Sequence, residues 1–163
     1  RRCGRWVVEC APWPSTTVSR PPGAVVTMPM SDLFDAAVAA QQQSYSPYSK
    51  YPVGAAVRTA SGAVFTGCNV ENSAYPEGTC AEAGAIAAMV LAGERVIVEA
   101  LTVTGGDTPG TPCGGCRQKL REFAGPDAII HATTNGGAVL DISMADLLPS
   151  SFGPEFLLGE RAR

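Results

Sequence analysis

The alternation of apolar and polar residues predicts three helices in the chain from Ser31 onward. After Ser31, apolar residues recur at intervals of three and four, as they do along one face of a helix. Cys80–Leu91 is almost entirely apolar and is followed by Gly93, which indicates a buried helix with a glycine at its end. Gly114–Phe123 is predicted as the third helix.

Short apolar runs around these helices predict five strands and a short final helix. The strands are predicted at Val53–Arg58, Ala63–Gly67, Val96–Thr104, Ala128–Ala132 and Val139–Ile142, with a hairpin turn at Ala60-Ser61-Gly62. Ser143 is placed to cap the final helix, which runs through Leu148. Because strands interleaved with helices form a sheet covered on both faces, we predict an α/β, three-layer α/β/α fold. Its sheet is predicted to be mixed, mostly parallel and of about five strands.

The beginning of the chain has a different character. Residues 11–23 contain four prolines and show no sustained period of apolar positions. We therefore predict that residues 1–29 form an irregular, disordered N-terminal extension and that residues 30–163 form the folded domain.

Bulk composition excludes several classes of protein. Apolar residues make up 45% of the 163 residues and charged residues 17%, which suits a single globular core. The net charge of −3 offers no electrostatic footprint for nucleic acid, so no nucleic-acid partner is expected. No stretch approaches the roughly 20 apolar residues that span a bilayer, so no membrane association is expected. With no secretory signal pattern before its six cysteines, the chain is expected to be cytoplasmic.

Two short segments carry candidate metal chemistry: Cys80-Ala81-Glu82, and Pro112-Cys113-Gly114-Gly115-Cys116. Each begins a predicted helix, whose positive end stabilises the thiolate form that binds metal. Three thiolates at about 2.3 Å from one Zn²⁺ leave the fourth tetrahedral position open for a water molecule. The pattern, which matches the general signature of zinc deaminases, predicts one zinc ion per chain held by Cys80, Cys113 and Cys116.

Glu82 is the candidate catalytic residue. It is the only charged residue between Cys80 and Ala92, and a buried carboxylate is costly without a partner or a purpose. Beside a metal-activated water it can accept the water's proton, deliver it to a ring nitrogen and later protonate a departing amine.

The sequence resembles the homotetrameric zinc-dependent cytidine deaminase family. The resemblance runs in order from about residue 31 to residue 158. The segments that carry it are Pro47–Ala56, Gly67–Asn72, Tyr75, the Cys-Ala-Glu element, Pro112–Gln118, Leu147-Leu148-Pro149 and Phe152. It implies a cytidine-deaminase-like fold and the hydrolytic deamination of cytidine and 2′-deoxycytidine to uridine and 2′-deoxyuridine plus ammonia, a reaction of pyrimidine salvage.

The resemblance also assigns substrate contacts. Asn69 and Glu71 are implied to hold the ribose hydroxyls, which agrees with the donors and acceptors that a diol requires. Tyr51 is implied to pack along the nucleoside, at a position usually held by Phe. The backbone of Ala81 is implied to meet the polar edge of the base.

A homotetramer with shared active sites is the further implication of the resemblance. In it, Tyr75 and Phe152 reach into the pockets of neighbouring subunits. The apolar segment Leu147–Phe152 follows the last predicted strand and is typical of an interface. The alternative is that Phe152 only pins its own last helix.

The chain departs from the family pattern at Ala83, where the family places Arg directly after the Cys-Ala-Glu element. Three thiolates on one zinc carry a formal excess negative charge, which a guanidinium would relieve. Here that stabilisation of the thiolates falls to Arg117 and the helix termini. Blasticidin-S-type deaminases also lack this Arg, so a blasticidin-S-type or other aminopyrimidine nucleoside deaminase is the alternative function. Asn69 and Glu71 favour a substrate with a ribose, and therefore cytidine deamination over the blasticidin-S-type alternative.

Three other interpretations remain open at this point. Cys68 as a fourth sulfur ligand would make the zinc structural, but it would leave Glu82 unexplained. His131, the only histidine, ends an apolar strand and is expected to have a packing or surface role. A nucleic-acid deaminase would share the metal chemistry but would need a basic channel, which the acidic balance does not favour.

Overall fold

The computed structural model describes residues 30–159, which form a five-stranded sheet with helices on both faces. The strands are β1 (Val53–Thr59), β2 (Val64–Cys68), β3 (Ile97–Thr104), β4 (Ala124–Thr134) and β5 (Val139–Ser143). The helices are α1 (Met30–Gln41), α2 (Ala81–Leu91), α3 (Gly114–Phe123), α4 (Met144–Leu147) and α5 (Glu155–Leu158), with a 3₁₀ helix at Tyr75–Glu77. The predicted α/β class is confirmed. The predicted extension, residues 1–29, lies outside the described residues.

The sheet is mixed, as predicted, but the prediction that it is mostly parallel is wrong. The strand order is β2-β1-β3-β4-β5, and only the β3–β4 pair is parallel. The connection from β1 to β2 consists only of residues 60–63, and that from β4 to β5 only of residues 135–138. Connections this short can join two neighbouring strands only if the strands are antiparallel. The crossover through α3 makes β4 parallel to β3, whereas β1 lies between β2 and β3 and runs opposite to both.

Alternation of side chains along the strands divides the core into two layers. On one face, Leu33 and Ala37 of α1 pack against Ala56, Leu101 and Val103. The other face of the sheet is covered by α2, α3 and α4. Their buried residues are Ala81, Ala85, Met89, Leu120, Met144 and Leu147. They pack against the strand residues Ala55, Val57, Ala100 and Ile130. Within residues 30–159, no helix is both long and apolar enough to cross a membrane.

Gly67 lets the first turn of α2 lie directly on β2. A Cβ at this position would clash with the carbonyl oxygen of Ala81 and the backbone nitrogen of Ala85. The close approach brings Cys80, at the start of α2, next to the carboxyl end of β2. Two segments that the sequence analysis singled out, the Cys-Ala-Glu element and the Asn69–Glu71 strand end, are thereby placed side by side.

A row of charged side chains crosses the α1 face of the sheet. Arg58, only 5% exposed, pairs with Asp32 of α1 and Glu99 of β3, each at 2.8 Å. His131 of β4 is buried, with Nε2 3.0 Å from Glu99 Oε1 and Nδ1 2.6 Å from Asp141 Oδ1. The hydrogen bond from Arg58 holds the pKa of Asp32 below its usual range. His131 is therefore part of a structural network on the far side of the sheet from the cysteines.

We predict that Arg58→Ala lowers the free energy of unfolding by about 2 kcal/mol. Removing one partner of a fully buried pair costs about 3–5 kcal/mol, and the cost is smaller here because water reaches Asp32 and Glu99. Urea denaturation of the zinc-loaded protein measures the change, with Lys119→Ala, at an exposed position, as the control. Equal stability of the two variants would show that the network contributes little.

Candidate active site

The two cysteine segments converge where α2 and α3 begin. Cys80 is the N-cap residue of α2, Cys113 is the N-cap residue of α3, and Cys116 lies in the first turn of α3. The sulfurs of Cys80 and Cys113 are 3.8 Å apart, and the three sulfurs all lie within 4.8 Å of one another. Cys116 is buried whereas the other two are exposed, so the cluster opens to solvent on one side.

This arrangement fits a tetrahedral zinc ion. Two sulfurs at about 2.3 Å from a common tetrahedral centre lie about 3.8 Å apart, which is the Cys80–Cys113 separation. The described residues add no fourth side chain to the cluster. Cys68 lies outside it, with its thiol directed at the carbonyl oxygen of Gln43 at 3.5 Å. A zinc ion here would keep one open coordination position, as catalytic sites do.

The surroundings of the three thiols shift their pKa values in different directions. Through its backbone N–H, Cys116 lowers the pKa of Cys113 at the start of α3. Burial raises the pKa of Cys80, and burial together with the neighbouring Glu82 carboxylate raises the pKa of Cys116. Three thiolates beside a carboxylate repel one another, and a divalent cation at their centre supplies the compensating charge.

Glu82 lies in the first turn of α2 beside Cys116 and is only 5% exposed. Its Oε1 accepts a hydrogen bond of 3.2 Å from the hydroxyl of Thr102 on β3, which is 3% exposed. Glu82 was expected at this site from the sequence, whereas Thr102 was not. The available signal was a hydroxyl-bearing residue at a buried position of the apolar strand Val96–Thr104.

Arg117 contacts backbone and hydroxyl oxygens. Its Nε donates to the carbonyl of Pro112 at 2.8 Å, and its terminal nitrogens donate to the carbonyl of Leu147 at 3.1 Å and to Thr111 Oγ1 at 2.9 Å. These bonds tie the loop before Cys113 to α4. No hydrogen bond described for Arg117 reaches a cysteine sulfur, so its stabilisation of the thiolates stays a prediction.

Asn69 connects the end of β2 to the segment before β1. Its Oδ1 accepts hydrogen bonds from the backbone N–H of Val53 at 2.8 Å and from the hydroxyl of Ser44 at 2.5 Å. Its Nδ2 donates to the carbonyl of Tyr51 at 2.9 Å. The amide thus holds the 44–53 segment in place and retains one further N–H for another acceptor.

Glu71 holds the middle of the same segment. Its Oε2 accepts the backbone N–H groups of Tyr48, at 2.8 Å, and Ser49, at 3.2 Å. Hydrogen bonds from the Ser49 side chain and these two N–H groups hold the pKa of Glu71 below its usual range. Both backbone hydrogen bonds go to the same oxygen, Oε2.

The aromatic candidates are exposed on the single chain. Tyr51, just before β1, and Tyr75, which is 79% exposed, lie on the surface, and Tyr75 packs edge-on against Tyr48 with centroids 6.2 Å apart. Phe152 is 56% exposed and stacks on Phe156 of α5 at 5.1 Å. Phe152 therefore packs on α5, which lies beyond the final helix predicted through Leu148, and more than half of the Phe152 side chain remains uncovered. Ala81, by contrast, is buried as the first residue of α2.

Together, the fold and site define a class of protein: an α/β protein with a three-cysteine metal cluster and a buried carboxylate beside it, the arrangement of zinc-dependent deaminases. Residues 29–133 match the family described as the cytidine and deoxycytidylate deaminase zinc-binding region. The chain belongs to this family, which confirms the resemblance to zinc-dependent cytidine deaminases, whereas the homotetrameric state stays a prediction.

Individual relatives agree with this membership. The chain is 40% identical over 118 residues to the cytidine deaminase of Sporosarcina psychrophila, covering 72% of this chain and 87% of the relative. It is 38% identical over 118 residues to the cytidine deaminase of Mycobacterium tuberculosis, covering 72% and 85%. The crystal structure of cytidine deaminase from Burkholderia pseudomallei superposes with a TM-score of 0.73 at 40% identity, covering 77% of this chain and 100% of the other.

Proposed function

We propose that this protein catalyses the zinc-dependent hydrolytic deamination of cytidine and 2′-deoxycytidine to uridine and 2′-deoxyuridine, with release of ammonia. The observation that carries the proposal is the buried Glu82 carboxylate beside the cluster of Cys80, Cys113 and Cys116. Family membership and the named activities of the relatives support the same reaction. We also propose a cytoplasmic location, because a reducing compartment keeps such cysteine thiols available for metal binding.

Each residue of the site has a role in this proposal. Cys80, Cys113 and Cys116 hold one zinc ion per chain, which when bound supplies a Lewis acid that makes water more acidic. Glu82 takes a proton from the water that attacks C4 of the base and delivers it to the ring nitrogen. Glu82 then takes the second proton, from the newly formed C4 hydroxyl, and delivers it to the departing amine, which leaves as ammonia, so the same carboxylate serves both transfers.

Substrate binding uses the polar atoms that the fold leaves available. Asn69 offers its remaining N–H and Glu71 its carboxylate, a donor and an acceptor suited to the two hydroxyls of a ribose. The backbone N–H of Ala81 belongs to the first turn of α2, where N–H groups have no partner within the helix, and it can meet the polar edge of the base. Tyr51 lies beside Gly110 in the loop that leads to Cys113, where it can pack along the nucleoside.

We further propose a homotetramer in which neighbouring subunits complete each pocket. A nucleoside site buries most of its ligand, yet the cluster opens to solvent and Tyr75 and Phe152 are largely exposed. The last helix, α5, on which Phe152 stacks, exposes Phe156, Leu157 and Leu158 as well. Insertion of Phe152 and Tyr75 into the pockets of neighbouring subunits would bury these two side chains and would also close the open side of each cysteine cluster.

Mixing two inactive variants is expected to restore activity if the sites are shared. Glu82→Gln chains keep Phe152, and Phe152→Ala chains keep Glu82, so mixed oligomers would contain some pockets with both residues intact. After subunit exchange, turnover of cytidine should rise above the sum of the two parents, and the rise should follow the fraction of mixed oligomers.

The control for this experiment is a mixture of Glu82→Gln with Cys80→Ala. Cys80 and Glu82 of any one pocket come from the same subunit, and each variant lacks one of them, so no mixed oligomer regains a complete pocket. A fully active monomer on size-exclusion chromatography, or no gain from the first mixture after verified exchange, would contradict shared sites.

The test of the proposed function is ultraviolet monitoring of the zinc-loaded protein with cytidine, 2′-deoxycytidine and blasticidin S. Loss of the cytosine chromophore from both nucleosides, with stoichiometric ammonia, is the expected result. Turnover of blasticidin S alone would establish the alternative aminopyrimidine deaminase instead. Turnover of none of the three would refute the proposal.

A further inference from the structure

Thr102 occupies a constrained position directly beside the catalytic carboxylate. It lies on β3, the central strand, and its partners in the ladders are Ala55 of β1 and Ala132 of β4. Its own carbonyl accepts a hydrogen bond of 3.2 Å from the hydroxyl of Thr133. The backbone of Thr102 is thus held from both sides, and the small alanine side chains flank it on the face that Glu82 covers.

Two side chains can donate a hydrogen bond to the Glu82 carboxylate: the thiol of Cys116, which zinc binding would deprotonate, and the hydroxyl of Thr102. The Thr102 hydroxyl donates to Oε1 at 3.2 Å, and Thr102 and Glu82 are both buried. A β-branched side chain on a strand has a restricted χ1 angle, so this donor has a fixed direction, whereas a glutamate has three rotatable bonds. A buried carboxylate takes the orientation that satisfies such a donor.

We propose that Thr102 is a positioning residue for the deamination proposed above, on which this inference rests. Its hydroxyl holds Oε1 of Glu82 so that the other carboxylate oxygen is directed to the reacting atoms at the cysteine cluster. Nothing in this role requires Thr102 to touch zinc or substrate. Removal of the Thr102 hydroxyl should therefore slow proton transfer and leave nucleoside binding and zinc content unchanged.

The experiment compares Thr102→Val, which removes the hydroxyl, with Thr102→Ser, which keeps it, in the zinc-loaded full-length chain. For Thr102→Val we expect kcat to fall about 10- to 100-fold while KM for cytidine stays within about twofold, the result of misplacing a group that acts only in the transition state. Thr102→Ser should retain kcat within about threefold of the wild-type protein, because the donor is preserved.

Thr59→Val is the matched control. Thr59 is equally buried, and its hydroxyl contacts Ser61 and the carbonyl of Ala63 at the far turn of the β1–β2 hairpin. This variant shows how much thermal stability is lost when a buried threonine hydroxyl is removed. Its kcat should match that of the wild-type protein. If Thr102→Val does not fold, Thr102→Ala replaces it in the comparison with Thr102→Ser.

The outcomes separate this inference from the function on which it rests. An active wild-type protein with a normal kcat in Thr102→Val would overturn the positioning role and leave the deaminase assignment standing. So would a KM increase at constant kcat, a loss of zinc from Thr102→Val, or an equal loss of kcat in Thr102→Ser. A wild-type protein without cytidine turnover would overturn the proposed function and the positioning role with it.

Discussion

Glu82→Gln is expected to lower kcat for cytidine by at least about a thousandfold, with one zinc ion per chain and the fold retained. The amide has the size of the carboxylate and can still accept the hydrogen bond from Thr102, so packing around the site should not change. It cannot carry a proton, and both proton transfers therefore fail. Steady-state kinetics, zinc analysis and thermal unfolding on the same preparation measure the three quantities.

Glu122→Gln is the control for this variant, because it makes the same chemical change at an exposed position of α3. Its kcat should equal that of the wild-type protein. A Glu82→Gln variant with turnover close to normal would show that another group moves the protons.

The second large effect is expected for Cys113→Ala, which should lose zinc, activity and stability together. Cys113 supplies one of three clustered sulfurs, 3.8 Å from that of Cys80, and two sulfurs alone are a weak zinc site. Because metal bound only to the native state stabilises it, Tm should fall by about 10 °C, which is a loss of about 3 kcal/mol. Zinc content, Tm and turnover of cytidine measure the effect.

Cys68→Ala is its matched control. This cysteine lies at the end of β2, outside the cluster, and its thiol contacts only the carbonyl of Gln43 among the contacts described for it. The variant should keep one zinc per chain and normal turnover. Loss of zinc from Cys68→Ala, or full zinc in Cys113→Ala, would contradict the assignment of the ligands.

The two cysteine segments and Glu82 could be identified from the sequence because each segment is recognisable from near neighbours in the chain. Cys80 and Glu82 stand two positions apart at the start of one helix, and Cys113 and Cys116 stand three apart at the start of another. Both the spacing and the helix starts follow from near neighbours in the chain. The helices and strands were likewise predictable to within a few residues, except for α5 and the 3₁₀ helix, which are too short to show a period.

The segment that holds the sugar-binding candidates could be predicted only in part. The sequence identified Asn69 and Glu71 through a family resemblance, whereas their hydrogen bonds to Val53, Tyr48 and Ser49 became visible only in the structure. Those partners lie some 16 to 23 positions away along the chain. No periodic pattern records such a pairing.

What the sequence by itself determined, therefore, is the α/β class and the three cysteines that meet as a possible metal site, whereas the proton transfer by Glu82 stays a prediction. Only the tertiary structure decided the single parallel strand pair, the network around Arg58, and the hydrogen bond from Thr102 to Glu82. The physical reason is that strand order and buried polar partners depend on contacts between residues distant in sequence. Thr102 and Glu82 are 20 positions apart, and they meet because Gly67 lets α2 pack closely on the sheet.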